Sequence, residues 1–182
     1  MIFALADIGE SRVLPWFLPG VAISVAISIA ASGAVGRALR VRQLVALALV
    51  LSLGVILAAT LTPQWEALAF GAQGPSSCDF SRISLAPLGQ LLSADDSGGN
   101  ILMFIPFGVA IGLLPRSRRK AAIVGFAIAL PFAIETVQLL LPVLDRACES
   151  ADVVDNLTGL TIGLGGGVVA GWLAAAAYRR FR

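Results

Sequence analysis

The chain contains no histidine. That removes Ser-His-Asp and Cys-His nucleophile pairs, and every His-ligated metal, from the chemistry open to it. A G-x-x-x-x-G-K-[ST] loop is also missing, so the chain cannot by itself drive transport with ATP. Charge is sparse: 13% of 182 residues are charged, only Lys120 of the thirteen basic residues is a lysine, and the formal net charge is +2. No motif points to a cofactor, a metal site or nucleic acid. What abounds is apolar, with 58% hydrophobic residues and a mean hydropathy of +0.90. A soluble domain needs far more polar surface, so the expected class is an all-α integral membrane protein with the lipid bilayer as its main partner. Arginine almost without lysine, and abundant Ala, Gly and Val, suit a GC-rich bacterial genome.

Crossing about 30 Å of hydrocarbon takes about 20 apolar residues in a helix. Five stretches come close: Trp16–Gly36, Gln43–Thr62, Asn100–Leu114, Ala121–Leu141 and Asn156–Tyr178. The third is short and lengthens only by taking in Gly98 and Gly99, or by local thinning of the bilayer. Charge then orients the five. Arg37, Arg40 and Arg42, then Arg116, Arg118, Arg119 and Lys120, then Arg179, Arg180 and Arg182 lie on one side without a single acid. The other side holds Arg12, Arg82, Arg146 and every acid but Glu135. Cytoplasmic loops accumulate Lys and Arg. The expected topology is therefore five transmembrane helices in a bacterial cell membrane, N-terminus outside and C-terminus cytoplasmic. Asp7 and Glu10 precede the first span and arginines follow it, the charge order of an uncleaved span and not of a signal peptide. Residues 1–42 form an outer segment, an extra helix and a basic cytoplasmic loop. Residues 43–182 form a four-helix membrane domain with outer loops at 63–99 and 142–155.

The only cysteines, Cys78 and Cys148, fall one in each large outer loop. An oxidising compartment favours a disulfide between them, which by the chain-entropy model adds roughly 4 kcal/mol.

Glu135 is the costliest residue. It lies about 9 Å below the outer end of the fourth span at ~1.5 Å per residue, with Gln138 on the same face. An ionised acid inside a span costs several kcal/mol unless paired, hydrated or protonated, and such residues usually face the bundle interior. A purely structural role is a clamp from Glu135 to Arg146 or Arg82. Asn100 opens the third span at the same level, and Asp152 and Asn156 sit one turn apart where the fifth begins. Asp152 and Asp155 also suit a helix N-terminus as simple caps. Asn100, Glu135, Gln138, Arg146, Asp152 and Asn156 thus share the outer third of the membrane, and one outward pocket is the expectation. Pro106 and Pro131 free the carbonyls of Leu102 and Ala127 and should kink their helices. Gly159, Gly163, Gly167 and Gly171, spaced by four, make a face for close helix packing, with another helix of this chain or with a second copy in a homo-oligomer.

Five pieces in order, "ILAATLTP", "ISLAPLGQ", "NILMFIPFG", "ETVQ" and "RACESADVVDNLTGLTIG", resemble the VanZ-like family, named for a teicoplanin-resistance protein, over roughly Leu49 to Leu173. The resemblance implies a VanZ-like four-helix core plus one extra N-terminal helix. It also implies that Asn100, Pro106, Gly108, Glu135, Gln138, Arg146, Asp152 and Asn156 are motif positions. Where the family's segment runs R-x-x-D-x-D-D, this chain carries Glu149 and Ala151, which weakens divalent-metal capture by adjacent carboxylates. Members reduce susceptibility to lipoglycopeptides, without an agreed biochemical activity. The expected function is non-enzymatic binding of an amphipathic envelope molecule at the outer leaflet: a lipid-linked cell-wall precursor, a phospholipid or a lipoglycopeptide. The alternatives are an intramembrane enzyme acting on a lipid-linked substrate, with paired acids for acid–base work but no activated nucleophile, and a small proton-coupled transporter or flippase built on Glu135.

Overall fold

The computed structural model describes residues 16–64, 67, 70, 71, 77–86 and 96–180. Residues 1–15 of the expected outer N-terminus, residues 87–90 of "ISLAPLGQ" and Arg182 lie outside that set. Among the described residues five long α-helices follow one another: α1 (Phe17–Leu39), α2 (Gln43–Thr60), α3 (Asp96–Gly112), α4 (Arg118–Leu140) and α5 (Ser150–Arg180). A 3-10 turn, Pro142–Leu144, lies in the connection between α4 and α5. No strand occurs among the described residues, and one isolated parallel bridge links Asp79 to Glu149.

Four of these helices, α1, α2, α4 and α5, are long and apolar enough to cross a membrane, whereas α3 is a shorter apolar helix. The expectation of five crossings is therefore met by length in four. The shorter helix is also deeply packed. Its Ile101, Phe104, Phe107, Ala110 and Ile111 are all buried, against Ile56 of α2, Ala127, Leu130 and Ile134 of α4, and Leu160 of α5. Only part of its surface, including Leu102 and Pro106, stays exposed. Its neighbours show the opposite pattern. Ile23 and Ile27 of α1, Phe126 and Phe132 of α4, and Val169 and Trp172 of α5 stay exposed, as expected of helices that are apolar all round and face lipid.

Backbone proximity joins α3 to α5. A Cβ added to Gly108 would lie 2.5 Å from the Leu160 carbonyl oxygen, and one on Gly112 would lie 2.6 Å from that of Leu164. From the other side, Gly159, Gly163 and Gly167 press on the backbone of Ile101, Ile105 and Val109. The fourth glycine of the series, Gly171, meets only the Leu113 side chain, at 3.7 Å. The glycine face of α5 is thus occupied by α3 of the same chain. α1 and α2 use a similar device. Ser24, Ser28 and Ser32 are buried and spaced by four. Ser24 donates its hydroxyl to the Gly20 carbonyl at 2.7 Å, and Ser32 accepts from Gln43 Nε2 at 2.9 Å. Gly54 of α2 seats directly on Ser24. Small residues let the two backbones approach, and the hydroxyls are satisfied within their own helix.

The two ends of the bundle differ in charge. At one end Lys120 Nζ donates to the Gly112 and Leu114 carbonyls at 2.7 and 2.9 Å, closing the orphan acceptors at the end of α3. Arg119 reaches across to the Ala38 carbonyl of α1. That end therefore gathers the basic connections α1–α2 and α3–α4. The opposite end gathers the close of α2, the starts of α3 and α5, and the acid-bearing loops. Pro106 and Pro131 both lie inside helices that continue past them.

Candidate functional site

At the acidic end a cavity of about 310 Å³ opens between the helices. It is lined by Ala59 and Thr60 of α2, Gly99, Asn100 and Met103 of α3, Glu135 and Gln138 of α4, Arg146 of the following loop, and Asp152 and Asn156 of α5. All six polar residues singled out in the sequence lie on this one surface. Glu135 and Gln138 are each 5% exposed and Asn156 is 1% exposed.

Each wall is held by a definite contact. Gln138 Nε2 donates to the Thr60 carbonyl at 2.9 Å, pinning α4 to the end of α2. Arg146 Nη2 donates to the Ala59 carbonyl at 2.7 Å, drawing the α4–α5 loop onto the same turn. Glu135 Oε2 accepts the Glu149 backbone N–H at 2.7 Å. Glu135 thus holds the loop by a main-chain bond and not through Arg82. Burial pushes the Arg146 guanidinium down from its ordinary value, and the Asp152 charge draws it back up.

Arg82 has a different partner. Its guanidinium forks onto Asp155, with Nη1 at 3.2 Å from Oδ1 and Nη2 on Oδ2. It also donates to Ser97 Oγ at 3.1 Å and to the Ser84 carbonyl at 3.0 Å, while the Ser150 hydroxyl donates to the Arg82 carbonyl at 2.8 Å. The Asp155 hydrogen bond raises the Arg82 pKa against opposing burial, helped by the charges of Asp155, Asp152 and Glu149. Asp155 is fully buried, so it acts as an ion-pair partner and not as a solvent-facing helix cap. Beside this node the sulfurs of Cys78 and Cys148 stand at disulfide distance, with Cα atoms 4.6 Å apart. Asp79 N donates to the Cys148 carbonyl and Ser150 N to the Asp79 carbonyl, at 2.8 and 2.9 Å. The two acid-bearing loops are therefore laced to each other next to the cavity.

Among the described residues, three buried side-chain atoms have no hydrogen-bond partner: Gln138 Oε1, Arg146 Nε and Asn156 Oδ1. All belong to residues that line the cavity. Buried polar atoms are nearly always paired, and each exception needs a reason. Among the described residues no group of three acids or cysteines could hold a metal ion. The sequence did not mark Ala59, Thr60, Gly99 or Met103 as lining, nor Arg82 and Asp155 as a pair. Ala59 and Thr60 do fall within "ILAATLTP", the one available signal.

The helices and the cavity define a class: a small all-helical membrane protein with a buried polar pocket at one end of its bundle. Within that class the chain belongs to the VanZ/LLP1 family, whose model matches residues 49–171. The matched stretch runs from α2 into α5, includes every cavity-lining residue and leaves α1 outside. No curated protein and no solved structure matches the chain.

Proposed function

We propose that the protein binds the polar head group of an amphipathic envelope molecule in this cavity, without chemical turnover, and that the cavity faces the outer leaflet of a bacterial cell membrane. The observation that carries the reading is the trio of unpartnered buried atoms, Gln138 Oε1, Arg146 Nε and Asn156 Oδ1, on one polar surface. A head group that supplies their partners removes a penalty of about 1–3 kcal/mol for each buried polar atom. The volume suits a head group, since ligand pockets run from roughly 300 to 1,000 Å³. Charge supports this sidedness: Arg37, Arg40, Arg42 and Arg116–Lys120 cluster at the far end, and cytoplasmic loops accumulate Lys and Arg. The ligand classes are a lipid-linked cell-wall precursor, a phospholipid or a lipoglycopeptide. A contribution to teicoplanin resistance follows if binding withdraws either the drug or its target.

The test is lipid co-purification. Wild type, Arg146→Ala and Asn156→Leu are purified in mild detergent and their bound lipids quantified by mass spectrometry. One head-group class should be enriched in the wild type over the membrane extract and lost from both variants. Identical lipid profiles in all three proteins would refute the proposal.

A further inference from the structure

We infer that residues 77–86 form a lipid-seated rim at the acidic end of the bundle, with Phe80, Ile83 and Leu85 set among the acyl chains of the leaflet there. The rim concerns the outside of this end and stands apart from what the cavity binds. Its stretch, "SCDFSRISLA", reverses the pattern of a solvated loop. Phe80, Ile83 and Leu85 are 69%, 73% and 67% exposed. The one cation among them, Arg82, turns inward onto the fully buried Asp155. Large apolar side chains grouped outside, with the cation inside, mark a surface that meets something apolar.

Depth says what that is. Glu135 lies about 9 Å below the end of α4 at ~1.5 Å per residue, and its carboxylate takes the Glu149 N–H. The main chain at Glu149 therefore runs near that level. Residues 79–82 run beside it: Asp79 N donates to the Cys148 carbonyl, Ser150 N donates to the Asp79 carbonyl, and the Ser150 hydroxyl donates to the Arg82 carbonyl. Nearer the end of α4 and just past it, Leu140, Leu141 and Val143 are still exposed, and deeper along α5 so is Ile162. The stretch thus lies at a level between two exposed apolar bands, within the thickness that the helices mark as lipid. Its backbone is prepared for that place, where little water is on hand to answer polar groups. Besides the bonds at Asp79 and Arg82, Ser81 N donates to Asp79 Oδ1 at 2.7 Å, and the Ser84 carbonyl accepts from Arg82 Nη1 at 3.0 Å. The exposed Asp79 carboxylate, which also accepts the Ser81 hydroxyl at 3.0 Å, suits the head-group zone. The three apolar side chains reach from that zone toward the acyl chains, as in other interfacial segments.

The test maps what surrounds each side chain. Phe80→Cys, Ile83→Cys and Leu85→Cys, each in the full chain with the Cys78–Cys148 bridge kept, are labelled with bimane without reductant and placed in lipid nanodiscs. Each of these side chains already stands outside the fold, so the label enters no core. Arg118→Cys, exposed at the basic end, is the water reference, and Ile162→Cys is the lipid reference. The wild type, with no added cysteine, gives the background. A nitroxide-bearing lipid should extinguish the probes at 80, 83 and 85 as fully as the one at 162, and iodide should leave all four equally bright. Loss of emission to iodide equal to that at 118 would overturn the inference and return the stretch to water. Resistance to both quenchers at all three positions would overturn it too, by showing that another segment of this chain or a second copy covers the patch.

Discussion

Replacing Gly108 by alanine isolates the contact that sets the spacing of α3 and α5, and so the distance between Asn100 and Asn156. The added methyl would stand 2.5 Å from Leu160 O, 2.8 Å from Leu164 N and 2.9 Å from Gly163 Cα, where ordinary contact begins at 3.4 Å. All three neighbours are backbone, so no rotamer change can relieve the overlap, and the helices must separate by most of an ångström. Overpacking of this kind costs about 1–3 kcal/mol, occasionally more. Against that, alanine gains about 0.8–1.0 kcal/mol over glycine in helix propensity. Net destabilisation of up to about 2 kcal/mol is expected, a fall in Tm of up to roughly 8 °C for a chain of this size. The control lies on the partner helix: a Cβ at Gly165 meets nothing within 4 Å. Gly165→Ala keeps the propensity gain without the clash and should leave Tm unchanged or raise it. Thermal unfolding in detergent, followed by intrinsic fluorescence or by loss of the monodisperse peak, measures both. If Gly108→Ala and Gly165→Ala shift Tm by the same amount and sign, close α3–α5 packing is wrong.

Further expectations test other ties. Arg82→Ala strands a fully buried Asp155 carboxylate and should cost about 3 kcal/mol, the lower end of the buried-pair range because a quarter of the Arg82 side chain is exposed; Arg82→Ala combined with Asp155→Asn should recover part of it, and a double variant no better than the single one would refute the pairing. Cys78→Ser with Cys148→Ser, or reductant on the wild type, should lower stability by about 2–4 kcal/mol, with both thiols blocked to alkylation until reduced; two thiols that alkylate without reductant contradict the bridge. For sidedness, the double Cys→Ser background with a single cysteine at position 145 should react with an impermeant maleimide on intact cells, and one at position 118 should not; the reverse labelling would invert the topology.

The site was readable in the sequence to the extent that its residues are expensive in lipid. Glu135, Gln138, Asn100 and Asn156 are polar at positions counted from helix ends, and a fixed rise per residue converts that count into depth. Depth alone brings them to one level, and hydrogen bonds to Thr60 and Glu149 then place them on one surface. The Arg82–Asp155 pair was unreadable for the complementary reason. Arg82 sits in a loop with no periodicity to give its direction, so nothing local distinguishes Glu135 from Asp155 as its partner. Apolar lining such as Ala59 and Met103 carries no chemical signal. The length of α3 was ambiguous because hydropathy cannot separate a helix that meets lipid along most of its surface from one packed largely against its neighbours. Ser24, Ser28 and Ser32 are the counter-example: their spacing of four carries the same signal as the glycines of α5, visible as soon as small residues are counted together.

The surroundings of the cavity bear on why its unpartnered atoms persist. A chain at liberty to relax would rotate Asn156 or Gln138, or let the Arg146 loop settle, until each buried group found a partner, since each one left alone costs about 1–3 kcal/mol in a total stability of about 5–15 kcal/mol. Three separate ties oppose that relaxation. Backbone contact between α3 and α5 fixes the helices that carry Asn100 and Asn156. The Arg82–Asp155 node fixes the first turns of α5 against Ser97. The Cys78–Cys148 bridge, with the Asp79 main-chain bonds, fixes the strand of loop from Arg146 to Ser150. Gln138 is held by Thr60 in the one orientation that leaves its oxygen unanswered. Stability spent on rigid walls around unanswered polar atoms is what a preorganised binding site requires, because the ligand then bears little of the ordering cost. On the proposed reading, loosening any one tie should weaken ligand binding by more than it weakens the fold; equal losses in both would mean that the ties serve the fold alone.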